Sequence, residues 1–188
     1  MRGEIMGRIT DEMYEAFQKG LEAVNADCVR IRAAGLGAAV AELFKKSGIP
    51  DANVVETELM KEGHVLSELE KAGITAYTDH IRLHGETAKG GVTEAQYGIA
   101  ALGSLIQCRD NVDERITATM CEYYIGIIKG SAIVPDYDDM FDILCEMKEL
   151  PNFVGFITGP SRTADIECVS TVGVHGPLRM TVIVVDDI

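Results

Sequence analysis

The side chains best suited to chemistry lie close together near the C-terminus, in Phe153-Val-Gly-Phe-Ile-Thr-Gly-Pro-Ser-Arg-Thr-Ala-Asp-Ile-Glu167. An apolar run, Phe153 to Ile157, reads as a buried strand. It leads into Thr158, Gly159, Ser161, Arg162 and Thr163, and a short helix is expected near Ala164 to Cys168. A loop from the carboxyl end of a parallel strand to a helix N-terminus suits an anion. Glycine lets N–H groups turn toward the ligand, the hydroxyls donate, and one Arg grips two oxygens. Capping a helix calls for the same residues, so the loop alone leaves both readings open. Asp165 and Glu167 are candidate acid or base groups, or else a cap and a surface charge. His175, in Gly173-Val-His-Gly-Pro177, could shuttle a proton or sit in a turn held by backbone.

Two further patterns stop short of a cofactor. Gly35-Leu-Gly37 follows a strand and opens a helix, but Val40 occupies the place of the third glycine of a dinucleotide fingerprint. His80 and His84 are four apart beside Asp79, without a third ligand, so no metal is expected. The five cysteines, Cys28, Cys108, Cys121, Cys145 and Cys168, are scattered and never spaced C-x-x-C. They read as reduced thiols, and neither a disulfide framework nor an iron–sulfur or zinc centre is expected in this chain.

Lys and Arg number 17 against 30 Asp and Glu, a formal net charge of -13. Such a surface repels phosphate backbones and anionic headgroups, and no basic patch interrupts it. Nucleic acid and membrane are therefore not expected partners, while a small carboxylate or phosphate can still be held locally. The opening MRGEIMGRIT lacks the apolar core of a signal peptide. No apolar run reaches the roughly 20 residues of a membrane span. The expected setting is the cytoplasm.

The elements that must position these residues follow from periodicity. The 188 residues, 47% hydrophobic and 25% charged, suit a single domain over 1–188. Thr10 caps a helix over about 10–25, with Met13, Phe17, Leu21 and Val24 at helical spacing. Strands are expected at Val29–Ile31, Asn53–Glu56 and Ile74–Tyr77. Helices fall between them, from Ala34 to Lys46 and over Val65, Leu66, Leu69 and Ala72. This β-α-β-α-β order implies a parallel sheet covered by helices. Gly91 to Leu105 reads as two short strands with tight turns. Tyr123–Ile128, Ala132–Val134 and Met180–Val185 are strand material. Pro135 and Asp136 start a helix over Tyr137–Leu150 with Met140, Phe141, Leu144 and Met147 facing in.

Taken together, Thr158 to Glu167 and Gly173 to Pro177 form a long paired motif that resembles the lactate-utilization (LUD) domain family. Gly91-Val-Thr-Glu-Ala95, Ile99-Ala100 and Gly103-Ser-Leu105 are similar to a second family segment, and Val134-Pro135 with its acidic helix also fits. The resemblance implies an α/β fold with a mostly parallel sheet flanked by helices, of the NagB/RpiA/CoA-transferase-like kind. It implies a part in oxidising L-lactate to pyruvate beside iron–sulfur partner proteins, with no cofactor in this chain. It also extends the ligand-binding set to Thr93, Gly103 and Ser104, and the candidate catalytic set to Asp165, Glu167 and His175. One departure stands out: Ala101-Leu102 occupies the place of the family's Glu-Thr. Three readings follow. The first is a non-redox lactate-utilization component that binds a small carboxylate or phosphate. The second is a stand-alone enzyme on sugar phosphates or CoA esters, and the third an inactive binding or regulatory module.

Overall fold

The computed structural model describes residues 8–164, 170–172 and 176–188. Thr10 caps α1 (Asp11–Ala23): its hydroxyl accepts from the Met13 N–H at 3.2 Å, and Asp11 and Glu12 occupy the positive end of the dipole. The first half continues through β1 (Asp27–Ile31), α2 (Leu36–Lys46), β2 (Asp51–Val54), α3 (Glu58–Glu62), α4 (Val65–Lys71), β3 (Thr75–Tyr77) and α5 (Ile81–His84). The second runs β4 (Gly90–Glu94), β5 (Tyr97–Ile99), β6 (Ser104–Cys108), α6 (Val112–Met120), β7 (Tyr123–Lys129) and β8 (Ile133–Val134). It ends with α7 (Tyr137–Glu146), β9 (Val154–Ile157), β10 (Arg162–Ala164), β11 (Ser170–Val172) and β12 (Arg179–Val185).

The main sheet has six strands in the order β1-β12-β7-β4-β2-β3, and every pairing is parallel. The expected mostly parallel sheet flanked by helices is therefore present, but the strands of the first half do not all lie together. β1 forms one edge beside β12, while β2 and β3 lie at the other. Burial explains the arrangement. β4, β7 and β12 are buried almost throughout, as strands covered on both faces must be, whereas β1 and β3 are half-exposed.

Alternation along β7 divides the core. Tyr123, Ile125 and Ile127 face a layer of α2, α3 and α4, where Leu36, Phe44, Met60 and Leu69 are fully buried. Tyr124 and Ile128 face α1, α6 and a second sheet, among Phe17, Leu21, Ala118 and Leu105. That second sheet runs β8-β5-β6-β9. Its outer face packs Ile106 and Val134 against Met140 and Leu144 of α7.

Several local expectations are corrected. Gly91 to Leu105 holds the end of β4, all of β5, a 3-10 turn at Ala100–Leu102 and the start of β6. The helix opening at Asp136, whose carboxylate accepts from Asp138 and Asp139 N–H, ends at Glu146 rather than Leu150. Phe141 does not face in: it is exposed, in a surface aromatic group with Tyr137 and Phe156. β9 is neither buried nor parallel. It is the half-exposed edge of the second sheet, antiparallel to β6. The chain beyond it does not enter a helix at Ala164: Arg162, Thr163 and Ala164 pair with Val172, Thr171 and Ser170 as an antiparallel ribbon. Three helices, α3, α5 and α6, were not anticipated. α6 carries a readable start in Asn111, whose side chain accepts from the Asp113 N–H at 2.9 Å.

Candidate functional site

The loop singled out by sequence is assembled against α1. Ser104 Oγ and Thr158 Oγ1 lie 2.8 Å apart, so the two segments expected to meet do meet, at the paired starts of β6 and the loop. Gly103 and Gly159 both have positive φ, 58° and 76°. A Cβ at Gly103 would strike the backbone of Gly20 and Leu21, and one at Gly159 the carbonyl of Val24. Glycine is needed here for close approach to α1. The Ser161 N–H donates to the Pro177 carbonyl at 2.9 Å, just before β12 begins, and Arg162 is exposed. Gly176 sits near the Thr119 carbonyl, shortly before β7. The loop thus lies at the amino ends of β7 and β12. Thr163 lies in β10; Asp165, Glu167 and His175 fall outside the described residues.

Thr93 belongs elsewhere. Its hydroxyl lies 2.7 Å from Tyr124 OH and accepts from Gln107 Nε2 at 3.1 Å, all three fully buried between the two sheets. Burial pushes the Tyr124 phenol well above its ordinary range. This chain joins β4, β7 and β6 and leads to the carboxyl ends of the parallel strands. There the connections diverge: the chain leaves β2 for α3 and α4 on one face, and leaves the neighbouring β4 for the second sheet and α6 on the other. Such a switch point opens a crevice at the strand ends.

A cavity of about 310 Å³ occupies that end, lined among others by Glu94, Gln96, Tyr97, Cys108, Arg109 and Lys129. Glu94 is the last residue of β4 and Lys129 the last of β7. Gln96 is pinned: its amide N donates to the Glu94 carbonyl at 3.0 Å and its amide O accepts from the Cys108 N–H at 2.7 Å. Arg109 Nη1 donates to Glu114 Oε1 at 3.3 Å. Glu114, on α6, is 2% exposed and its Oε2 has no partner among the described residues. Burial raises its pKa, Arg109 opposes the rise and the Glu94 charge adds to it, so these three ionisable groups share one electrostatic neighbourhood. Burial also keeps the Cys108 thiol protonated, which makes it a poor nucleophile. A larger cavity, about 480 Å³, lies beside the edge strand β3 along Leu66, Glu70, Gly73 and Thr75. It holds one charged side chain, Glu70, and lies along the sheet's edge rather than between strands.

Sequence reading missed this carboxyl-end set. The available signal was a charged residue, Glu94, closing a buried, Gly-rich strand. The other motifs resolve structurally. A Cβ at Gly37 would meet the Gly63 and His64 backbone, so its glycine serves helix contact. His84 stacks on Tyr77 with ring centroids 3.7 Å apart. Among the described residues, no three His, Cys, Asp or Glu side chains converge as a metal set, and no helix is long and apolar enough to cross a membrane.

Comparison with known proteins agrees with this architecture. Lactate utilization protein C 1 of Bacillus mycoides is 28% identical, over 96% of this chain and 82% of the relative. Lactate utilization protein C of Macrococcus caseolyticus is 26% identical over 97% and 82%. That of Halalkalibacterium halodurans reaches 36% over a shorter stretch, 63% of this chain and 54% of the relative. A crystal structure of a DUF162 family protein from Deinococcus radiodurans superposes with a TM-score of 0.67 over 92% of this chain and 96% of that one. At 18% identity that likeness concerns the fold. The LUD domain profile matches residues 14–185, nearly the whole chain with both sheets and the helices that cover them, and the chain belongs to the LUD domain family.

Proposed function

We propose that this protein is a non-redox component of a cytoplasmic L-lactate utilization system, acting beside iron–sulfur partner proteins and binding a small carboxylate or phosphate. The observation that carries the reading is a family match over residues 14–185, with relatives named lactate utilization protein C aligned along nearly the whole chain. The scattered cysteines fit a role in which electrons travel through partners. Of the loop residues, Arg162 is exposed at the amino end of the sheet, and the Ser161 N–H is already bonded to the Pro177 carbonyl. The Ala101-Leu102 departure favours a second reading, a binding module without turnover. Both residues are exposed on their 3-10 turn, so this departure from the family pattern leaves the core undisturbed.

Deletion of the gene tests the pathway. Growth on L-lactate as sole carbon source is expected to fail and to return with the plasmid-borne gene, while growth on pyruvate continues. Unchanged growth on L-lactate defeats the proposal. Affinity purification of the tagged chain under anaerobic conditions is expected to retain cysteine-rich iron–sulfur proteins, and turnover of L-lactate by the purified chain alone would remove it from the non-redox class.

A further inference from the structure

The cavity at the carboxyl ends of β4 and β7 is lined by charged side chains of both signs. On a chain with a net charge of -13, it brings two cations, Arg109 and Lys129, to one carboxylate, Glu94. Among the described residues Lys129 forms no ion pair, and Arg109 spends a single contact on Glu114, which leaves the rest of its guanidinium fork available. Glu94 is 9% exposed, and its side chain has no hydrogen-bond partner among the described residues. Tyr97 and Met147 supply apolar wall, and Gln96 is held rigid by its two bonds. The complement of this arrangement is a short molecule with an anionic end, a hydroxyl that can donate, and a small aliphatic part.

We propose that this cavity binds a short-chain 2-hydroxycarboxylate. Arg109 and Lys129 take its carboxylate, and Glu94 accepts the hydrogen of its hydroxyl. The proposal deepens the lactate reading and rests on it for the choice of acid. It adds a selectivity rule that the reading does not contain. The corresponding 2-oxo acid has no hydrogen to donate, and its carbonyl oxygen would face the Glu94 carboxylate. A site built around a donated hydroxyl disfavours the analogue lacking it, because the carboxylate then faces a second acceptor and gains no hydrogen bond. The protein therefore holds the hydroxy acid and releases the oxo acid. No bond to carbon is made or broken in this step, and the loop at the far end of the sheet takes no part in it.

The test is isothermal titration of the full-length chain with sodium L-lactate and sodium pyruvate at matched ionic strength, on wild type and on Lys129→Met, Glu94→Gln and Arg162→Ala. Wild type is expected to favour L-lactate by about tenfold or more. K129M weakens L-lactate by about tenfold, the scale of one charge-assisted hydrogen bond. E94Q brings the two acids to within about twofold, since an amide can donate to a carbonyl. R162A leaves L-lactate binding unchanged. The proposal is overturned by equal affinity for the two acids in wild type, by K129M binding as wild type does, or by loss of binding in R162A alone, which would move the ligand to the loop. Absence of binding by wild type to either acid overturns it as well, while the growth experiment on L-lactate still decides the pathway reading separately. If circular dichroism shows E94Q unfolded, the surface variant K129M and the wild-type preference carry the decision.

Discussion

Glu114 is a carboxylate that α6 carries out of water. It touches Arg109 with one oxygen, and the other has no partner among the described residues. Its folded pKa lies above the ordinary value of 4.5 because burial outweighs Arg109. The sign follows from linkage. A carboxyl that binds its proton more tightly in the folded state detracts from stability when ionised, and the loss is recovered as pH falls through the folded pKa. Glu114→Gln keeps an acceptor for Arg109 and removes the buried charge. It is expected to raise the thermal midpoint at pH 7 by a few degrees, the size that about 1 kcal/mol produces in a domain of this length. The gain should shrink as pH falls through the raised folded pKa, where wild type takes up the proton too. Scanning calorimetry of both proteins at several pH values checks it, and a variant less stable at pH 7 would show that the Arg109 pair dominates. No sequence pattern marked Glu114 as buried, because Val112-Asp-Glu-Arg115 reads as a solvated first turn until Arg109 and Glu94 are placed around it.

At the scale of elements, caps and periodicity were legible and neighbours were not. Thr10 and Asp136 open α1 and α7 where their side chains foretell it, since a cap acts within a few residues. β9 was misplaced because an apolar run of five residues looks alike in a central parallel strand and at the edge of a second sheet. The loop after it, with its glycine, hydroxyls and Arg162, left an anion site and a helix cap both open, and Gly159 faces the end of α1 at Val24. This makes a comparison between two glycines informative. Gly48 also has positive φ, 67°, but an added Cβ would meet open space. Gly48→Ala is expected to cost about 1–2 kcal/mol, the strain of the left-handed backbone alone. Gly159→Ala adds a collision with the Val24 carbonyl that only backbone movement relieves, so it should cost at least about 1 kcal/mol more than Gly48→Ala in urea unfolding. Equal losses would mean that the loop moves off α1 without penalty.

For the whole molecule, charge is the dominant global property. A net of -13 repels itself in the compact state. The exposed pairs Lys46–Glu42, Lys61–Glu58 and Lys71–Glu68 each contribute little against it, about 0–1 kcal/mol. Raising NaCl from about 20 to 200 mM screens the repulsion and is expected to raise the thermal midpoint by roughly 2–4 °C. A fall instead would put the Arg30 network with Asp186 and Asp11 in control. The same charge, together with composition, hydrophobic periodicity and two motif segments, sufficed by itself to determine the α/β class, most helix starts and the family. These are short-range or summed properties, and a chain carries them before it folds. Tertiary structure alone decided that β12, β7 and β4 insert between β1 and β2, because pairing depends on burial on both faces and not on order along the chain. It also decided that the Thr158 loop closes the amino end of the sheet while Glu94, Arg109 and Lys129 converge at the carboxyl end. Those three residues come from two strands and a loop, and nothing in their spacing foretells a meeting that depends on which strands become neighbours.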